Sequence, residues 1–545
     1  MKGGTVFYNA VVYTYDRTRP RAEALAVMGE EIVAVGDSAD LCEAYPSFHH
    51  VDLEGRVVLP GFVDSHVHLL DFALGQRGID LSTTRSLEEV RARVAESARG
   101  KGEGWILGQG WDPNLWPERR LPTRSDLDAL SPDRPVALRS KDGHLLWVNS
   151  LALREAGVSR VTPDPPGGAI LRDPAGEPLG IFQEKAQELI WKVVPPPRPE
   201  EIEEALRSAM AIAHRFGLVG IHDMEGPEVF RALQRLEREG ALTLRVTMML
   251  PERILGEAAA VGLTTGFGSP WLRVGGVKIF ADGTLGAQTA SMLEPFEGQP
   301  GNYGIPVHDR EELIALIQDA VRAGLSVAVH AIGDRANRWV LDALEANLEA
   351  SRRQGLRHRI EHVQLLHPAD LPRLSCLGVV ASMQPIHATY DRDLAEQYWG
   401  ERSRYAYAWR SILDSGVVLA FGSDTPYGVP DPLAGLNPFR GLYAAVTRKR
   451  EDEPASLGWH PEECLPLEEA IRAYTVGAAY ASGEEAYRGR LSEGYLADFV
   501  VLDQDPFQLS APEELLTIKV EATVVGGAIR FATPGLSSLS AQGNP

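Results

Sequence analysis

The sequence has little that would tie it to a membrane, a disulfide framework or a nucleic acid. No stretch of its 545 residues approaches the ~18 consecutive apolar residues of a membrane span. Residues 1–8, Met-Lys-Gly-Gly-Thr-Val-Phe-Tyr, lack the apolar core of a signal peptide. The three cysteines, Cys42, Cys376 and Cys464, stand far apart with no CxxC pair. They read as free thiols, most simply buried filler, in a reducing compartment, and the cytoplasm is the expected location. Basic residues are outnumbered 54 to 75, the formal net charge is −21, and there is no basic tract. Such a surface repels phosphate backbones and anionic lipid, so neither nucleic acid nor membrane is an expected partner. Three catalytic signatures are missing as well. There is no GxxxxGK[ST] loop, no GxGxxG after a strand and no GxSxG elbow. The cluster Pro165-Pro166-Gly167-Gly168 is therefore no phosphate loop, and no internal repeat of 20–50 residues is visible.

What is present is an ordinary soluble composition, 44% hydrophobic and 24% charged, on a chain too long for one ordinary core. Its most informative feature is the run Val57-Val58-Leu59-Pro60-Gly61-Phe62-Val63-Asp64-Ser65-His66-Val67-His68. Side chains alternate along a strand, so His66 and His68 share a face. Two imidazoles at a strand end make half of a site for zinc, iron or a related ion.

The ends and the middle of the chain differ in texture. Residues 1–58 read as short strands and turns, with a hairpin from Ala24 to Gly36 turning at Gly29. Strand texture returns at Asp498–Asp503 and at Val520–Phe531, which turns at Gly526-Gly527. One small β-sandwich domain built from residues 1–58 and 485–533 is expected. A disordered Ser- and Gly-rich tail is expected over 534–545. Between them, eight strand candidates alternate with helical patterns: Val58–Asp64, Leu218–His222, Leu244–Leu250, Val274–Phe280, Ser326–His330, His358–Glu361, Val379–Met383 and Val417–Phe421. This is the α/β pattern of a (β/α)8 TIM-like barrel over 59–484. Residues 70–215, after the first barrel strand, are too long for a loop and read as an insertion or lid with structure of its own. Trp105–Leu107 and Pro135–Arg139 are further strand candidates there. The insertion holds five of the ten tryptophans. Those side chains are either its core or walls of an apolar substrate pocket.

Further ligand-type residues end later strands. His330 closes Ser326–His330, His362 closes His358–His362, Asp424 follows Val417–Ser423, and Lys278 lies in Val274–Gly283. The C-terminal ends of barrel strands are where active sites are built. Lys278 between Val277 and Ile279 is unusual, because a buried ammonium is expensive. A neutral amine, a carbamate formed with carbon dioxide and able to bridge two cations, or an ion pair with Asp282 would each resolve it.

Taken together, the ordered motifs resemble the amidohydrolase superfamily of metal-dependent hydrolases, and within it the branch containing N-substituted formamide deformylase. They are Pro60–His68, Asp142-Gly143-His144 with Asn149-Ser150, Lys278–Gly286, His330–Asp334, Glu361-His362, Gln384-Pro385 with His387, and Gly422-Ser423-Asp424. The resemblance implies a divalent metal, zinc expected, as one or two ions. His66, His68 and Asp424 would hold one, His330 and His362 the other, with N6-carboxylated Lys278 bridging. It further implies hydrolysis of a C–N amide-type bond in a small molecule, an N-substituted formamide or other N-acyl amine. Hydroxide generated at the metal would attack, and Asp424 would carry the proton. The alternative is a deaminase or cyclic-amide hydrolase on the same metals.

His144, His222, Asp282 and His387 sit in or beside the motifs, as substrate-binding candidates or as hydrogen-bonded structural groups. Asp223 and Asp334 either orient ligand histidines or cap helices. A homo-oligomer is compatible with the sequence, which carries no signal for the oligomeric state.

Overall fold

The computed structural model describes residues 3–76, 78–100 and 104–536. Eight parallel strands form its centre: β1 Phe62–Val67, β2 Leu218–Asp223, β3 Arg245–Pro251, β4 Leu272–Phe280, β5 Val327–Ala331, β6 Arg359–His362, β7 Val380–Met383 and β8 Leu419–Phe421. Each pairs with the next in sequence order. All eight sequence candidates are present, with ends shifted by a few residues, except that residues 58–60 of the first belong to a strand of a terminal sheet and only its end lies in the barrel. Their continuous apolar character follows from burial on both faces, as parallel strands under helices require. The first and last strands meet at their C-terminal ends, where Asp424 N–H donates to the His66 carbonyl (2.7 Å) and His68 N–H donates to the Thr425 carbonyl (2.9 Å). Gly422 permits this approach, since a Cβ there would lie 2.5 Å from His66 N. The structure is thus the expected (β/α)8 barrel.

The helices that cover it include α1 Pro199–Arg215, α2 Pro227–Arg238, α3 Arg310–Arg322, α4 Asp334–Ala346 and α5 Pro385–Trp399. Helix α3 starts at a reciprocal capping box, Asp309 with Glu312, which satisfies two otherwise orphaned N–H groups. Among the described residues, no helix is long and apolar enough to cross a membrane.

Both ends of the chain meet in two further sheets. One has four strands from residues 5–52. The other has six, in the order Ala528–Ala532, Val520–Val525, Phe499–Leu502, Val57–Pro60, Val11–Tyr13, Arg21–Ala22. Phe7, Leu25 and Ile32 of the first pack with Val12, Phe499 and Val524 of the second in one buried cluster. Leu536 joins that cluster, and its N–H donates to the Thr533 carbonyl. Residues 534–536, where the tail is expected to start, are therefore packed on the sheets; the rest of that tail, 537–545, lies outside the described residues.

The insertion is a six-stranded sheet running from Gly168–Arg172 at one edge to Ile79–Asp80 at the other. Trp105–Leu107 and Pro135–Arg139 largely correspond to its strands Ile106–Trp111 and Val136–Ser140. Alternation sends Val136, Leu138, Leu145 and Trp147 to one core and Ala137, Leu146 and Val148 to another. The segments flanking this sheet within 70–215 belong to the barrel instead: Phe72, Ile202, Leu206 and Ala209 lie in the main barrel core.

Candidate metal centre

The C-terminal ends of the strands and the insertion enclose one cavity of about 640 Å³. Its wall includes His66, His68, Lys278, His330, His362 and Asp424, so six discontinuous ligand-type residues meet in one place. Asp424 Oδ1 lies 3.4 Å from His66 Nε2 and 3.4 Å from His68 Nε2. Lys278 Nζ lies 3.3 Å from His66 Nε2. The His362 ring stands 4.9 Å from that of His66 and 4.6 Å from that of His330. One donor atom from each of His66, His362 and Asp424 lies within 4.8 Å of the others.

Hydrogen bonds behind the rings fix which nitrogen faces inward. His66 Nδ1 donates to Glu361 Oε2 at 2.6 Å, His362 Nδ1 donates to Gln384 Oε1 at 2.7 Å, and His330 Nε2 donates to the Gly283 carbonyl at 3.1 Å. Each acceptor requires N–H on the nitrogen it meets, which leaves a lone pair on the other. Burial, reinforced by the Lys278 charge, lowers the His66 pKa to about 4, and burial pushes His330 and His362 well below the ordinary value. Neutral imidazoles with inward lone pairs, beside a carboxylate, are the donor set of a divalent ion. Burial lowers Lys278 to about 8 against the opposing pull of Glu361 and Asp424, which leaves its amine unusually easy to deprotonate. Burial resists ionisation of Asp424, yet the imidazoles of His66, His68 and His362 hold its carboxyl well below the usual range.

The backbone contributes too. His362 and Asp424 both sit at positive φ, +74° and +59°. Non-glycine residues in this region are strained by about 1–3 kcal/mol each, and such strain clusters at functional sites.

His144 enters from the insertion. Its ring lies 5.3 Å from that of His330, and its Nδ1 donates to Glu184 Oε2 at 2.6 Å. Burial opposes its charge, but the Glu184 carboxylate outweighs it and raises the pKa to about 9. His387, on α5, lies parallel to His362 at 6.4 Å and also lines the cavity. The other two substrate-binding candidates do not. His222 is buried in the barrel bore, where its Nδ1 accepts a bond from Arg359 Nη1 at 2.7 Å. Asp282 accepts backbone N–H bonds from Ser291 (2.7 Å), Ile332 (3.0 Å) and Gly333 (2.9 Å), which ties together the loops after β4 and β5. It therefore serves no ion pair with Lys278. Proximity to a motif in sequence puts both near the substrate, whereas strand alternation and loop packing turn them away.

The groups behind the ligand rings are not the two acids expected there. Asp223 accepts from Glu225 N–H (3.1 Å) and Asp334 from Leu293 N–H (2.8 Å), so both serve backbone amides, one local and one in the loop after β4. Glu361 and Gln384 do the orienting. Glu361 is itself held by Arg359, whose Nη2 donates to Oε2 at 3.0 Å and whose Nε bonds to Oε1. The motifs Glu361-His362 and Gln384-Pro385 were visible in the sequence. Their contact with His66 and His362 was not.

Comparison with known proteins agrees with this geometry. The sequence profile described as the amidohydrolase family matches residues 50–531. YtcJ of Bacillus subtilis is 35% identical over 96% of this chain and 99% of its own. N-substituted formamide deformylase of Arthrobacter pascens is 29% identical over 97% and 98%. The crystal structure of an uncharacterized metal-dependent hydrolase from Pyrococcus horikoshii is 30% identical, with a TM-score of 0.74 over 93% of this chain and 99% of that one.

Proposed function

We propose a reaction for this chain on one premise: it belongs to the amidohydrolase family. It is a metal-dependent hydrolase of carbon–nitrogen bonds other than peptide bonds. Our finer reading is that it hydrolyses an N-acyl amine, with N-substituted formamides the first class to test. The observation that carries this reading is geometric: His144, held at Nδ1 by the Glu184 carboxylate, stands 5.3 Å from the His330 ring in the cavity that all six ligand-type residues line. A carbonyl oxygen that gains negative charge is stabilised by an aimed hydrogen-bond donor, and a divalent ion is bound by neutral imidazoles.

In this reading His66, His68 and Asp424 would hold one ion and His330 and His362 another, and a carboxylated Lys278 would supply a further anionic ligand. Bound zinc or a similar ion would lower the pKa of a ligated water from 15.7 toward ~7 and polarise a carbonyl. The chain's own residues do the rest. Asp424 accepts a proton from the attacking water and returns it to the leaving nitrogen as the C–N bond breaks, so that an acid and an amine leave. His144 donates to the oxygen that becomes anionic, and Glu184 keeps it protonated and oriented. Glu361 and Gln384 hold His66 and His362 in the tautomers that face the cavity.

Two measurements test this. Elemental analysis of protein purified without chelator should find one or two zinc, iron or manganese ions per chain, and a panel of N-formyl and N-acyl amines should release free amine. A chain that takes up no metal on reconstitution, or a metal-loaded chain that releases amine from none of the panel, would contradict the proposal. His144→Gln should lower kcat by about a hundredfold, the usual effect of losing one oxyanion donor, with smaller change in KM. Unchanged kcat in that variant would remove His144 from the chemistry.

A further inference from the structure

The tryptophans of the insertion read as its core or as walls of an apolar pocket, and the structure makes most of them core. Trp111, Trp116 and Trp147 pack on one another in the insertion's own core, with ring centroids 5.8 and 6.0 Å apart. Trp111 and Trp191 both border the cavity, the latter with the Arg139 guanidinium on its face at 4.8 Å. Around the cavity as a whole, carboxylates outnumber lysines and arginines two to one.

Several of these acids are matched. Asp71 faces Arg139 at 2.9 Å, Glu252 faces Lys185 at 3.2 Å, Glu184 holds His144, and Lys141 leans toward Asp112 at 3.7 Å. Asp391 is not. Its Oδ2 accepts a bond from Tyr407 O–H at 2.6 Å, and among the described residues no lysine or arginine makes an ion pair with it. Lys141 acts on it only at longer range. Asp391 lies on α5 between His387 and Leu394. Spacings of four and three residues put all three on one helix face, and all three line the cavity. His387 is buried, and its Nε2 has no hydrogen-bond partner. Because His387 stacks parallel to His362, this face starts at the metal centre and runs outward. Asp391 is one turn farther on, about 6 Å along the axis.

We propose that this face of α5 reads the amine half of the substrate and selects N-acyl amines that carry a second, cationic nitrogen, held by Asp391. The proposal rests on the hydrolase reading above and names its substrate class. A cation against a partly desolvated carboxylate makes a charge-assisted hydrogen bond, stronger than either group makes with water. Burial raises the Asp391 pKa, and a bound cation would lower it again. Glu188 and Glu228, exposed at the cavity, add an attractive field that Arg253 only partly offsets.

Amine products test this without turnover. Calorimetry with the metal-loaded protein should find 1,4-diaminobutane bound at least about tenfold more tightly than butylamine, with 4-aminobutyrate weakest. Asp391→Asn should remove most of the diamine's advantage. So should Leu394→Lys, which supplies a cation of the protein's own one turn away and serves if the first variant fails to fold. Equal affinity for the diamine and butylamine, or an advantage untouched by both folded variants, overturns the proposal. A diamine preference that Asp391→Asn abolishes, in a protein that hydrolyses no N-acyl amine, upholds the cation site and rejects the hydrolase substrate reading. Hydrolysis of N-acyl amines with no cation preference does the reverse.

Discussion

Asp424→Asn is expected to lower kcat by about a thousandfold or more while the protein stays folded. The amide has the shape of the carboxylate, and Asn tolerates the left-handed backbone that Asp424 adopts at φ +59°. The backbone bond from Asp424 N–H to the His66 carbonyl, 2.7 Å, does not depend on the side chain. What disappears is basicity. In the proposed mechanism this residue moves the proton from water to the leaving nitrogen, and a positioned acid–base group contributes 10²–10⁴-fold. The variant also tests metal binding, since Oδ1 sits 3.4 Å from Nε2 of both His66 and His68. Rates on the best N-acyl amine, measured at known metal content per chain, separate the two effects. A variant with full metal and near-parental kcat would remove Asp424 from proton transfer.

Arg359→Met should be the most damaging change outside the cavity. The Arg359 guanidinium lies in the barrel bore beneath the site and touches four strands. It bonds to Glu361 on its own β6, to the Ser65 carbonyl on β1, to His222 on β2 (2.7 Å) and to Ser382 Oγ on β7 (2.7 Å). Arginine supplies five donors in a rigid fork, and no other side chain meets that demand. Its removal leaves the fully buried Glu361 carboxylate without its cation, a loss of roughly 3–5 kcal/mol for a broken buried pair. Glu361 also orients His66, so metal affinity should fall about 10–100-fold. A shifted denaturation midpoint together with weaker metal binding by titration is the expected result. Arg359→Lys keeps the charge and should recover stability better than metal affinity. Parental stability and affinity in the methionine variant would show that the bore does not depend on this fork.

The two variants differ in what made them findable. Asp424 could be read from the sequence because it follows a strand-like apolar run, and its place in an ordered set of histidines and a lysine matches a known pattern. Arg359 and Glu361 occupy the strand that ends in His362, and nothing in their spacing says which of them meets His66, almost 300 residues away. The sequence offers Asp223 and Asp334 for that orienting role, and nothing in it singles out Glu361. Which one touches a ligand ring depends on which faces the bore, and that follows from how neighbouring strands register as the barrel closes.

The sequence by itself determined the barrel, the β-rich ends, the inserted segment and the six ligand-type residues. These are local signals: apolar runs of strand length, helical periodicity between them, and chemistry at the strand ends. Only the tertiary structure decided that His222 and Asp282 turn away from the cavity and that three insertion tryptophans are core. It alone placed His144 against Glu184 and Asp391 on the cavity wall without a cation. The physical reason is that a side chain's environment is a sum over elements distant in the chain. Periodicity assigns a residue to a face, but only the packing of that face against other elements settles whether it meets a metal site, a backbone amide or open cavity.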